Sequence, residues 1–148
     1  MAAVESIALS ACVAGVLDIA ATGTVMRAQG TPFVRLLQFV ASGALGGRAF
    51  VGSGKTAGIG LVLHFLIAAV WAVIYYAASD GLPVLLARPL LCGAVFGVVV
   101  HLVMSRVVVP LSRTQKRPFA WTAWLTQLAI HVVFVGLPIA VTQSYLAR

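Results

Sequence analysis

Charge is what this sequence has least of. Asp, Glu, Lys and Arg make up 9% of its 148 residues, where a soluble domain carries about a quarter. Apolar residues make up 61%, and mean hydropathy is +1.07. A chain so short of charge cannot cover a water-facing surface, so lipid is part of its solvent. Cysteine is scarce too: Cys12 and Cys92 stand singly in apolar runs, without the CxxC spacing of a metal site. Both are expected to be small buried apolar residues. The basic N-terminal region of a signal peptide is missing, and Glu5 stands near the start instead, so the first apolar run is read as a retained span. One domain fits in this length.

What charge there is lies unevenly. The net charge of +7 and a pI near 10.5 are cues for nucleic acid, but no basic face with interleaved aromatics exists, so no nucleic-acid partner is expected. Four apolar runs, at about 6–26, 57–79, 89–110 and 120–145, are long enough to cross a ~30 Å hydrocarbon layer. The expected fold is all-α, a four-span membrane bundle. Between spans one and two stand Arg27, Arg35, Arg48 and Lys55; Arg106, Arg113, Lys116 and Arg117 close span three and its loop to span four. The opposite side holds Arg88 and Arg148. This asymmetry predicts both basic loops in the cytoplasm and both termini outside. Trp121 and Trp124 at the inner end of span four, and Tyr75, Tyr76 and Tyr145 near outer ends, fit interfacial belts.

The first basic loop carries its own pattern. Thr31 can cap a helix, Pro32 suits its first turn and Gly43 can end it. Arg35, Gln38 and Ser42 form a polar stripe beside Phe33, Leu36, Leu37 and Val40. That predicts a short amphipathic helix over about 32–43 lying in the interface, with a re-entrant segment as the rival. Arg27–Phe33 matches Arg113–Phe119 at Arg, Gln, Pro and Phe, a possible trace of two duplicated hairpins. Gly52-Ser-Gly54-Lys55-Thr56 imitates the end of a phosphate-binding loop, but Ala49 stands where that motif needs glycine and no strand precedes it.

The informative residues are the ionisable ones inside the spans: Asp18, His64, His101 and His131. An aspartate at a helix centre costs roughly 2.5–3.5 kcal/mol on insertion scales, so it faces a partner or a wet cavity. Counted from the inner span ends at 1.5 Å per residue, the four lie about 12, 10, 14 and 16 Å deep, one layer within boundary error. Gly93, Gly97 and His101 recur at four-residue spacing. Gly60 and His64, Gly15 and Asp18, and Gln127 and His131 likewise share helix faces. Small residues let backbones approach, so these faces are expected to meet at the bundle centre. Arg106 is read as snorkelling to headgroups, with an ion pair to Asp18 as the sharper alternative. Pro138 should kink span four and free a carbonyl near Phe134.

Three chemistries fit the layer: hydrogen bonds that only fix helix register, proton or ion handling by a carboxylate beside imidazoles, and ligation of haem b or a transition metal by His64, His101 and His131. No resident cofactor is predicted. No nucleophile–base pair is visible, so enzymatic activity is not expected. The leading expectation is an accessory or scaffold subunit whose small-residue faces dock other helices, as a homo-oligomer or within a larger membrane complex; a proton- or ion-handling transporter is the alternative. Four helices leave no room for a wide pore, so transport would need an oligomer or a partner.

Several runs carry a resemblance: Ala14-Gly-Val-Leu-Asp18, Leu63-His64-Phe-Leu-Ile-Ala-Ala-Val-Trp71, Gly93-Ala-Val-Phe-Gly97 leading to Val109-Pro110-Leu-Ser112, and Ile130-His131 through Gly136-Leu-Pro138. Across most of its length the chain resembles short, uncharacterised bacterial inner-membrane proteins, similar to the YagU-like group. The resemblance implies a bacterial inner membrane, and a link of such proteins with acid tolerance suits proton handling.

Overall fold

The computed structural model describes residues 3–116 and 118–147, and the side chain of every one of these except residue 53; Arg117 and Arg148, counted above among the basic residues, lie outside the description. Four helices are long and apolar enough to cross a membrane: α1 (Ala3–Ala28), α3 (Ser53–Gly81), α4 (Pro89–Leu111) and α5 (Trp121–Leu146). Between the first two lies α2 (Phe33–Leu45). No strand occurs among the described residues. The chain is therefore an all-α polytopic membrane protein. Its outer surface agrees: Val62 and Leu90 are each 68% exposed, and Leu66 57%, tolerable only where lipid is the solvent. Cys12 is exposed on this surface and Cys92 half-buried, so neither is the buried residue expected above. A thiol is apolar enough to face acyl chains as readily as a core.

The bundle is asymmetric. α1 packs on α3 and α5, and α5 packs on α4, whereas the backbones of α3 and α4 stay apart. Near the end away from the basic loops their gap is filled by aromatic rings: Phe96 of α4 meets Trp71 and Tyr75 of α3 edge-on at 5.9 and 4.9 Å between centroids. Tyr75 is buried rather than interfacial, because its hydroxyl donates to the Leu85 carbonyl at 2.8 Å and so closes the α3–α4 connection. Ala14, Ala72, Val100, Ile139 and Ala140 complete a tight core at this level.

Toward the end that carries the basic loops, hereafter the basic end, α2 occupies the gap. Phe33 lies where a side chain on Gly23 would be, and the Leu37 carbonyl sits directly against Gly60 of α3. The helix continues past Gly43 to Gly46, whose φ of +60° favours glycine. The Gly43 carbonyl instead accepts the Arg113 N–H at 2.9 Å, tying α2 to the α4–α5 connection. Neither Thr31 nor Pro32 supplies a side-chain cap. Two of the three stripe residues, Gln38 and Ser42, are buried, and Arg35 is exposed: Ser42 Oγ lies 3.2 Å from Thr114 Oγ1, and Gln38 lies 3.5 Å from Thr56. Buried partners satisfy these groups, so this part of the stripe packs against protein and leaves Phe33 and Val34 half-exposed. The second Arg-x-Gln-x-x-Pro-Phe segment leads straight into α5, with no counterpart of α2.

Candidate functional site

Held apart by α2, the basic-end halves of α1, α3, α4 and α5 line a half-open cavity of about 490 Å³. α2 roofs it with Leu36, Phe39 and Val40, and Trp71 and Val135 close it toward the tight core. The walls are mostly apolar, with a few convergent polar groups, the usual make-up of a small-molecule pocket.

Asp18, His64, His101, His131 and Gln127 all line this space, and Arg106 does not. Arg106 is exposed, and the single ion pair among the described residues joins His64 to Asp18. Two pairs make up the layer. In the first, His64 Nε2 lies 2.8 Å from the Gly15 carbonyl. A carbonyl only accepts, so Nε2 carries a hydrogen, and the opposite nitrogen is left facing Asp18 Oδ2 at 3.9 Å. Without a further proton, a lone pair would face a carboxylate. One proton placed on either partner turns the contact into an attraction. The other carboxyl oxygen, Oδ1, is buried with no hydrogen-bond partner.

In the second pair His131 Nδ1 donates to the Gln127 carbonyl at 2.7 Å, and His101 Nδ1 lies 3.3 Å from the same nitrogen. His131 Nδ1 can reach both as a shared donor only if His101 Nδ1 is unprotonated, so His101 carries its hydrogen on Nε2. That nitrogen is buried without a partner, while the His101 ring stands edge-on to Trp124 at 4.7 Å. Trp124 is thus turned onto a histidine rather than outward in an interfacial belt; Trp121, 67% exposed, keeps the outward position. Among the described residues no three His, Cys, Asp or Glu side chains come close enough to hold a metal ion.

Backbone contacts set these positions. Added side-chain carbons on Gly93 and Gly97 would meet α5 at 2.9 Å from the Gly136 carbonyl and 2.5 Å from the Val132 Cα. An added Cβ on Gly15 would lie 2.7 Å from the Phe65 ring. Gly60 takes the α2 backbone rather than a helix of the bundle centre. Pro110 and Pro138 each follow a π-wound segment, Met104–Val108 before Pro110 and His131–Gly136 before Pro138. A proline lacks the N–H that the carbonyl four residues earlier needs, and the wider winding accommodates the lost bond. His131 opens the second segment, so the winding helps to set where its ring points.

Gln143 has no local signature in the sequence. It is 1% exposed, and its side-chain amide donates to Ser10 Oγ at 3.0 Å and the Ala72 carbonyl at 2.9 Å, joining α5 to α1 and α3. Only the fold turns it inward.

Set beside known protein families, characterised proteins and solved structures, the chain matches none of them.

Proposed function

We propose that the protein is a proton-binding membrane carrier, with Asp18 and His64 as the place where the proton sits. One observation carries this: His64 gives its Nε2 hydrogen to the Gly15 carbonyl, so the Nδ1–Oδ2 contact at 3.9 Å is attractive only when it holds a proton. The cavity supplies the wet or ligand-filled space that an intramembrane carboxylate requires. In this reading the membrane is a bacterial inner membrane, the basic end faces the cytoplasm, and the bundle works as a homo-oligomer or with a partner subunit. The scaffold reading loses its main support, because the small-residue faces at Gly15, Gly93 and Gly97 are filled by this chain's own helices.

The test is proton flux into liposomes under an imposed pH gradient, followed with an internal pH dye. Wild-type protein should dissipate the gradient faster than empty vesicles, and Asp18→Asn should return the rate to that of empty vesicles while keeping its helical circular dichroism. Undiminished flux through Asp18→Asn would end the proposal.

A further inference from the structure

The cavity's charge inventory points to the class of ligand it takes. Asp18 is the one carboxylate on its walls, and no Lys or Arg lines them. The described basic side chains, Arg106 included, sit outside. The groups facing Asp18 are His64 from α3 and His131 from α5, with His101 of α4 beyond His131; α2 contributes only apolar wall and glycine backbone. Both His64 and His131 spend one N–H on backbone carbonyls. Thr22, one turn along α1 and also on the wall, is the side-chain hydroxyl that bonds the Asp18 carboxylate, while the buried Oδ1 has no hydrogen-bond partner. The rest of the wall includes Trp71, Phe39 and aliphatic side chains. An anion would find no fixed positive charge here. A neutral solute would leave the carboxylate uncompensated whenever the proton departs.

We infer that the cavity binds a compact, largely apolar organic cation, a protonated monoamine, whose ammonium replaces the proton at Asp18. The inference rests on the proton-carrier reading and names its second substrate. The ammonium donates to the carboxylate oxygens, the apolar body lies against Trp71 and the aliphatic wall, and the displaced proton leaves to water. Charge in the cavity is unchanged by the swap, so neither occupant leaves a bare carboxylate in hydrocarbon.

The probe is 2-phenylethylammonium, which stays protonated through neutral pH as a lysine side chain does. Binding to purified protein in detergent is read by calorimetry and by tryptophan fluorescence across about two and a half pH units, from about 5.5 to about 8. One-for-one competition makes the affinity rise with pH, by up to about tenfold per unit, with release of up to one proton per amine bound. Asp18→Asn should weaken binding by about tenfold or more and abolish its pH dependence, whereas 2-phenylethanol should bind weakly and independently of pH. Equal binding of the alcohol and the amine would overturn the inference, as would unchanged amine affinity in Asp18→Asn or a preference for phenylacetate. If Asp18→Asn abolishes proton flux while wild-type protein ignores the amine, this inference falls and the proton reading stands. If the amine binds competitively with protons but flux ignores Asp18, the carrier reading falls alone.

Discussion

Substituting Gly97 by alanine tests whether backbone contact between α4 and α5 positions the histidines. In an open helix Gly→Ala stabilises by about 0.4–1 kcal/mol, through chain entropy and helix propensity. Gly58 of α3 is such a place: it is exposed, with nothing within 4 Å of an added Cβ. At Gly97 the same carbon would lie 2.5 Å from the Val132 Cα and 2.7 Å from the His131 carbonyl, about 1 Å inside ordinary contact, and both neighbours are backbone, which cannot swing away. Forcing helices apart by that much costs about 1–3 kcal/mol. The two effects leave Gly97→Ala less stable by about 1–2 kcal/mol and Gly58→Ala more stable by up to about 1 kcal/mol. At about 2–4 °C per kcal/mol, that is a drop of about 2–8 °C against a rise of up to about 4 °C. Thermal unfolding in a mild detergent, followed by circular dichroism, measures both. Because His131 supplies one of the blocking atoms, Gly97→Ala should also separate the His101–His131 pair, now 3.3 Å apart. Equal shifts of the same sign in the two variants would refute the packing argument.

Gln143→Leu removes the amide that joins three helices and leaves the Ala72 carbonyl without that donor; interhelical hydrogen bonds in membranes average about 0.6 kcal/mol, so unfolding should move down by a few degrees, and an unchanged midpoint would show the network to be idle. A Cβ on Gly43 would lie 3.8 Å from the Ser112 Cβ, close to the usual disulfide separation, so Gly43→Cys with Ser112→Cys, in a background with Cys12 and Cys92 replaced by Ala, should oxidise readily to an intramolecular crosslink; failure to crosslink would mean α2 does not dock on the α4–α5 connection. Gly60→Leu should expel α2, because the Leu37 carbonyl occupies the place of the new side chain, and that same crosslink should then form at least about tenfold more slowly.

The spans and their apolar character were legible because lipid imposes a one-dimensional rule, about twenty apolar residues per crossing, that any window of sequence reports. Asp18, His64, His101 and His131 stand out in such runs because they are ionisable, and the structure brings all four to the walls of one cavity. Other features had no local signature. Gln38 and Ser42 form a stripe whose period says which residues share a face but not what that face meets; docking on α3 through Gly60 decided that it is buried. Gln143 and Tyr75 carry groups suited to an interface, and only partners from distant segments, Ser10 and the Leu85 carbonyl, hold them inside.

The sequence by itself determined that this is a four-span membrane protein and which rare ionisable side chains fall inside its apolar runs, because solvation by lipid depends on composition and length alone. The tertiary structure decided which of those side chains pair, that Arg106 stays outside, and that α2 holds α3 and α4 apart over a cavity. Those outcomes depend on helix crossings at particular glycines, where the separation of two backbones is fixed by atoms far apart in the chain.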